Sequence, residues 1–155
     1  MGFVTVPQAI GLRGTSSPVV LDPLVVPPSA TGAGTWAAAV NALALHNGIF
    51  DNGAAADLDN VSFTLYLPKG VYTLYGNFIK GTNCGLLDIS LDGVKIVSLT
   101  DLYAAAASYT YILTDTAIAV SNSGLHTLLI AVNGKNAASS DYKIGFTSLS
   151  FVRTA

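Results

Sequence analysis

Asp88, Ser90 and Asp92 are the first residues of this sequence whose types and spacing could do chemistry. Residues two apart on a β-strand share one face, so the two carboxylates would lie on the same side of a sheet. Such a pair could bind Ca²⁺, but this ion takes six or more oxygen ligands, which come from several loops. A solvated outer face, with Asp92 serving a turn at Asp92-Gly93, is therefore the favoured interpretation.

Two other acidic positions have the composition of turns. The run Asp57-Leu58-Asp59-Asn60 resembles half of a calcium-binding loop, but it lacks the Gly-centred twelve-residue frame, which favours a polar turn. Asp101 precedes an Ala-rich run at 104–107 and is expected to cap a short helical turn there. The acidic residues therefore predict neither a metal site nor a cofactor site.

Residues that could act as nucleophile or base are isolated in the sequence. Cys84, the single cysteine, lies in a turn-like run and is interpreted as a small side chain that fills space near a loop. His126 lies in an apolar strand with no acid or nucleophile placed beside it, so it is interpreted as a structural histidine. No Gly-x-Ser-x-Gly elbow and no glycine-rich phosphate loop occurs. The sequence therefore predicts no catalytic residues, no cofactor and no enzyme activity.

Tyrosines offer a different chemistry, because exposed aromatic rings can stack on sugar rings. Tyr109 and Tyr111 are two residues apart in one predicted strand and are expected to point the same way. They are the candidate sugar-stacking residues. The alternative is that these rings fill the core or a subunit interface, as aromatic side chains commonly do.

The composition of the chain restricts its possible partners. It has 155 residues, of which 51% are hydrophobic and 10% charged, with a net charge of −2, whereas soluble domains are typically about 25% charged. The balance excludes the basic surface that nucleic-acid binding needs, and the apolar content excludes disorder. No membrane-spanning segment is expected, because Pro and Gly interrupt the apolar stretch from Pro23 to Phe50. The scarcity of charge predicts surface buried against other chains, as in a homo-oligomer.

Prolines divide the chain into two predicted parts. Residues 1–34 are expected to form an extended N-terminal arm, because each proline between Ser17 and Pro28 fixes its own backbone and extends the residue before it. The apolar side chains of this arm would lie on the domain itself or on a neighbouring subunit. The predicted assembly residues are Val19, Val20, Leu21, Leu24, Val25 and Val26.

Residues 35–155 are predicted to form an all-β domain. Residues 35–47 fit either a helix or a strand, and the β context that follows favours a strand slightly. From Val61 onward, seven or eight short strands alternate with turn signals, of which Asp92-Gly93 is typical of a two-residue type I′ hairpin. This pattern predicts an antiparallel β-sandwich of jelly-roll type.

Four runs of the sequence resemble known β-sandwich proteins. Pro68 to Leu74, Leu87 to Val94 and Gly124 to Leu128 resemble strands and hairpins of galactose-binding-like sandwiches and carbohydrate-binding modules. The run from Gly134 to Tyr142 is similar to a stretch in β-sandwich proteins of tailed-phage particles. These runs are turns and core strands within just over half of the chain. The resemblance therefore implies a fold and carries over no ligand residues.

Together, the low charge, the arm and the phage-like run predict a non-enzymatic structural protein of a phage virion, such as a capsid decoration or another minor component. This protein would be made in the host cytoplasm and would lie on the particle exterior, bound to other virion proteins rather than to nucleic acid or membrane. The resemblance implies a homotrimer. The alternative prediction is a carbohydrate-binding module with a glycan partner, for example on a host-recognition tail appendage.

Overall fold

The structure, a computed structural model, describes residues 17–40 and 48–155. Eleven strands lie within these residues. They are β1 (Val19–Leu21), β2 (Ala30–Ala33), β3 (Trp36–Val40), β4 (Gly48–Asn52), β5 (Asn60–Leu67), β6 (Gly70–Lys80), β7 (Gly85–Leu91), β8 (Val94–Asp101), β9 (Ser108–Val120), β10 (Gly124–Lys135) and β11 (Gly145–Arg153).

The strands form two antiparallel sheets. The first has the order β3-β4-β11-β6-β9, with β1 also paired to β11, and the second has the order β2-β5-β10-β7-β8. Strands that are adjacent in the sheets are often distant in sequence, which is the connectivity of a sandwich rather than of a meander. The prediction of an all-β antiparallel sandwich of jelly-roll type is confirmed.

Alternation along the strands places the core between the sheets. In β5, Val61, Phe63, Leu65 and Leu67 are buried, whereas the residues between them are half-buried or exposed. Four phenylalanine rings meet at the centre of the core, with centroids 5.7 to 6.1 Å apart in mostly edge-to-face pairs. They are Phe50, Phe63, Phe78 and Phe146.

The described part of the predicted arm belongs to the sandwich. β1 pairs with β11 and β2 pairs with β5, so the arm predicted over 1–34 does not extend through residues 19–33. Between these strands Asp22 accepts a hydrogen bond from the backbone N–H of Leu24, at 2.9 Å, and forms a turn. A proline-flanked segment can pair in this way because short edge strands tolerate neighbouring prolines. Residues 1–16 of the predicted arm lie outside the described residues.

The predicted assembly residues separate into two sets. Leu21 is only 3% exposed, and Val19 and Leu24 pack against the core. Val20 is 57% exposed and Val25 is 76% exposed, with Val26 less so. The second set is the more accessible to a partner.

Two local predictions have different outcomes. Residues 36–40 form strand β3, as the β context favoured, and residues 41–47 lie outside the described residues. The helical turn predicted over 104–107 is wrong. The backbone N–H groups of Leu102 and Ala104 donate to the carbonyls of Gly85 and Gly81, so the chain lies along a neighbouring segment rather than coiling on itself.

Among residues 17–40 and 48–155, no helix is long and apolar enough to cross a membrane.

Candidate functional site

A groove runs between β8 and β9, the edge strands at which the two sheets end on one side of the sandwich. It consists of two depressions of about 450 and 230 Å³, and Ile96 and Asp115 line both. We call this feature the edge groove. Its polar lining residues are Asp92, Lys95, Ser98, Thr100, Thr114, Asp115, Thr116, Ser121 and His126.

Irregular pairing shapes both walls of the edge groove. The pairing of β7 with β8 shifts register between Ile89 and Ser90, which leaves Ile96 as an extra residue in β8. In β9 the register shifts opposite Tyr72 and Leu74, where Ala117 has a φ of 62°. Bulges of this kind redirect side chains and make an edge strand a poor template for pairing with another strand. The two edge strands therefore form the walls of a groove and are poorly suited to pair with a further strand.

At one end of the edge groove, the side chains of Asp92 and His126 form a hydrogen-bonded pair. His126 Nδ1 lies 2.6 Å from Asp92 Oδ2, and Nε2 lies 3.1 Å from the carbonyl oxygen of Asn122. The other carboxylate oxygen of Asp92 accepts a hydrogen bond from the backbone N–H of Thr127 at 2.8 Å. The hydrogen bond from His126, together with that from Thr127, lowers the pKa of Asp92 below its ordinary value.

Sequence reasoning missed this pair, because it placed no acid beside His126. The two residues are 34 positions apart, and they meet because β7 and β10 are neighbours, with Leu91 opposite Leu128. Only the register of that pairing brings the Asp92-Gly93 turn over His126. The turn itself is confirmed, since both of its residues have positive φ, 50° and 80°.

Asp88 is buried on β7 and does not line the edge groove. Its carboxylate forms an ion pair with Lys95 and accepts hydrogen bonds from Asn133 Nδ2 and from the backbone N–H of Leu99, each at 2.7 Å. Burial alone would raise the pKa of Asp88, but these donors outweigh it and lower the pKa. The interpretation of a solvated acidic face is wrong at this position, because Lys95 and Asn133 cover the carboxylate.

Asp115 differs from both of these acids. It lies in β9, is half-buried, and lines both depressions of the edge groove. Its one side-chain hydrogen bond within the described chain comes from the backbone N–H of Thr116, at 2.8 Å, and it forms no ion pair there. Its carboxylate therefore has oxygen lone pairs available to a ligand in the groove.

A third depression, of about 480 Å³, adjoins the edge groove at Ala119, Val120 and Ser121. Its other lining residues include Lys69 and Arg153, so its charge is opposite to that of Asp115. We call it the basic depression.

The candidate sugar-stacking residues Tyr109 and Tyr111 are both half-buried and do not form one platform. Tyr111 packs against the main core, with Lys80 Nζ 4.2 Å from the centre of its ring, whereas Tyr109 packs against Ile49 and Ile79. A register shift between β6 and β9 lies opposite these tyrosines, and it breaks the alternation from which a shared face was expected. The exposed tyrosines are Tyr66 and Tyr75, at 57% and 43%.

Acidic residues at the other end of β7 are used in loop structure. Asp57 accepts hydrogen bonds from the backbone N–H groups of Leu58 and Gly134, and buried Asp59 accepts from Asn52 and from the backbone N–H of Ala56. This agrees with the polar turn expected over 57–60. Within the described residues, no group of three or more His, Cys, Asp or Glu side chains could hold a metal ion.

Cys84 is buried beside this loop region. Burial raises the pKa of its thiol to about 11, so almost none of it is the reactive thiolate at neutral pH. This environment suits the space-filling role expected from the sequence rather than a nucleophile.

The sequence itself matches no protein-family model, and no curated protein matches it. The structure is similar to part of a Paenibacillus xanthan lyase, with a TM-score of 0.78 and 23% identity over 96% of this chain and 14% of that one. The chain thus spans only a small part of the lyase.

Smaller proteins match along almost their whole length. A CBM36 domain of a multidomain xylanase from the hindgut metagenome of Trinervitermes trinervoides has a TM-score of 0.60 and 12% identity over 90% of this chain and 99% of that one. A CBM36 carbohydrate-binding module solved with calcium and xylotriose has a TM-score of 0.55 and 12% identity, over 86% and 98% of the two chains. The fold is therefore the β-sandwich found in carbohydrate-binding modules.

None of these proteins is described as a component of a phage particle. The resemblance to carbohydrate-binding modules is supported by the fold, and the link to phage particles has no support. At these identities the comparisons show the fold alone.

Proposed function

We propose that this protein is a non-catalytic carbohydrate-binding module and that the edge groove is its glycan-binding site. The observation that carries the proposal is Asp115, a carboxylate with open acceptor positions in a groove of a carbohydrate-binding-module fold. A carboxylate can accept hydrogen bonds from two neighbouring sugar hydroxyls, and such charge-assisted bonds are stronger than neutral ones. Thr116 and Ser121 add hydroxyl groups, while Val94 and Ile96 offer apolar surface to sugar C–H groups.

The lowered pKa of Asp92, at the end of the edge groove, supports binding rather than hydrolysis. A glycosidase needs one carboxylic acid with a raised pKa to protonate the leaving oxygen. The pKa of Asp92 is lowered instead, because both of its oxygens accept hydrogen bonds. Asp92 therefore stays ionised and holds His126 in place.

The test is affinity electrophoresis in gels that contain soluble xylan, galactomannan or mixed-linkage β-glucan. We expect at least one of these polysaccharides to retard the protein, and Asp115→Asn to weaken that binding at least tenfold. Asp141→Asn is the matched control, because Asp141 is also half-buried and its carboxylate also accepts from the next backbone N–H, but at the other end of β7. Retardation by none of a broad panel of polysaccharides, or equal binding by Asp115→Asn, would contradict the proposal.

The homo-oligomer, the virion partners and the location on a particle exterior stay predictions. Exposed apolar side chains at Val20, Val25 and Val26 are what a subunit contact could use. The mass in solution, measured by light scattering, tests this surface. An oligomer that Val25→Ser and Val26→Ser convert to a monomer would support it, and a monomeric unaltered chain would exclude it.

A further inference from the structure

We propose that the edge groove binds an internal stretch of an uncharged polysaccharide chain, rather than a chain end or an acidic glycan. This inference rests on the proposed function and adds the class of ligand. The shape of the groove supports binding of an internal stretch of the chain. The pairing of the charged side chains in the groove supports an uncharged ligand.

The shape of the groove suits an extended ligand. Its lining along β8 runs from Val94 to Thr100, and seven strand residues span about 20 Å. The two depressions share Ile96 and Asp115, so they lie end to end on the same pair of strands. At its other end the larger depression adjoins the basic depression at Ala119, Val120 and Ser121. A chain can therefore extend through both depressions and beyond the larger one, whereas recognition of a chain end needs a closed pocket.

The charges in the groove disfavour an anionic ligand. Lys95 is paired with Asp88 and His126 with Asp92, so each cationic or potentially cationic side chain of the groove already has a carboxylate partner. Asp115 forms no ion pair among the described residues. The uncompensated charge is negative, and it would repel a uronate or sulfate while accepting hydrogen bonds from uncharged sugar hydroxyls.

The basic depression offers the competing possibility. Lys69 and Arg153 could attract the carboxylates of an acidic glycan to the neighbouring surface. In that arrangement Asp115 would contribute little, and Lys69→Ala with Arg153→Ala would abolish binding. Substitution of Asp115 should therefore weaken binding only in the edge groove, and substitution of Lys69 and Arg153 only in the basic depression.

The experiment uses the full chain and calorimetric titration. Oligosaccharides of one to six units are prepared from the neutral polysaccharide that retards the protein most, and polygalacturonate is the acidic probe. We expect affinity to rise at least tenfold from two to five units, a hexamer with a chemically reduced end to bind within twofold of the native hexamer, and polygalacturonate not to bind.

Ser98→Arg tests the extended site directly. Ser98 is exposed and lines only the smaller depression, so a long side chain there should block passage of the chain. We expect the variant to bind the hexamer at least tenfold more weakly and the dimer as the unaltered protein does. Ala54→Arg, at an exposed loop position outside the groove, is the control for an added arginine. Unchanged urea unfolding midpoints show that both variants are folded.

Two results would overturn the inference while the proposed function stands. They are a monosaccharide that binds as tightly as the hexamer, or loss of binding when the chain end is reduced. Tighter binding of polygalacturonate that depends on Lys69 and Arg153 would overturn the inference and also the assignment of the glycan to the edge groove. If neither neutral nor acidic glycans bind, the proposed function fails and this inference fails with it.

Discussion

Three aspartates around the edge groove have different neighbours, and at the scale of single residues these neighbours decide what each carboxylate can do. Asp88 is buried with three donors, Asp92 is half-exposed and paired with His126, and Asp115 is open to the groove. The sequence showed three acids of one type. Their partners come from β8, β10 and a backbone N–H, so the sequence alone could not distinguish them.

Asp88→Ala should destabilise the protein by about 2–3 kcal/mol, because it leaves the N–H of Leu99 and the amide of Asn133 without an acceptor. Lys95 adds little to this cost, since 46% of its side chain is exposed and water can solvate it. Urea unfolding measures the change. Asp115→Ala is the control and should change the free energy of unfolding by less than about 0.5 kcal/mol. Equal unfolding midpoints for the two variants would contradict the structural role of Asp88.

Asp92 should make stability depend on pH in the acid range. Because its pKa is lower in the folded protein than in the unfolded chain, its contribution is present above its ordinary pKa of 3.8 and is lost as the pH falls through the folded value. Asp92→Asn removes the ionisation and keeps a residue that tolerates the positive φ of this turn.

The measurement for Asp92 is the difference in free energy of unfolding between the unaltered protein and Asp92→Asn. We expect a difference of at most about 1 kcal/mol at pH 5.5, because half of the Asp92 side chain is exposed. It should shrink steadily as the pH falls below about 4. The subtraction removes the similar contribution of Asp88. A difference independent of pH would show that the hydrogen bonds to Asp92 do not stabilise its ionised form.

At the scale of elements, regular strands were predictable and irregular ones were not. Alternation of apolar residues identified β5, and the Asp-Gly pair identified the β7–β8 hairpin. Bulges leave no such pattern, because they depend on how a partner strand aligns. For that reason Tyr109 and Tyr111 were expected on one face, and the walls of the edge groove were not foreseen.

Gly93→Ala should destabilise the hairpin by about 1 kcal/mol. Gly93 has a φ of 80°, in the left-handed region that L residues adopt at a cost, and an added Cβ would meet no atom within 4 Å. The cost is therefore conformational rather than steric. Gly124→Ala is the matched control, because a Cβ there also meets nothing within 4 Å and its φ is not in that region.

The Gly124→Ala control should be neutral or slightly stabilising, since alanine restricts the unfolded chain. Urea unfolding of both variants separates the two effects. A loss of stability at Gly124 equal to that at Gly93 would mean that the turn geometry is not the cause.

At the scale of the whole molecule, the candidate site is a product of long-range pairing. Residues from β7, β8, β9 and β10 meet in the edge groove, and two sheets must close over one core before their edge strands come together. The sequence predicted the sandwich because alternation and turns are local signals. It could not predict the groove, which depends on which strands lie at the edges. The same closure brings into the sandwich the apolar segment that the sequence assigned to an arm.

Removal of residues 1–34 therefore tests the organisation of the whole chain. A free arm could be deleted with little loss of stability, whereas here the deletion removes β1, β2 and the buried side chain of Leu21. It also removes the carbonyl of Ala33, to which the indole N–H of buried Trp36 donates at 3.1 Å. Loss of one buried leucine side chain alone costs about 2–5 kcal/mol.

The chain that begins at Thr35 should consequently unfold at a much lower urea concentration than the full chain, or fail to unfold cooperatively. Leu21→Ala in the full chain should also lower the free energy of unfolding, through the loss of one buried side chain. Val25→Ala is its control, because Val25 is 76% exposed. We expect a loss of about 2–5 kcal/mol for Leu21→Ala and almost none for Val25→Ala. If the shortened chain unfolds at the midpoint of the full chain, residues 19–33 are an arm after all and the sandwich begins at residue 35.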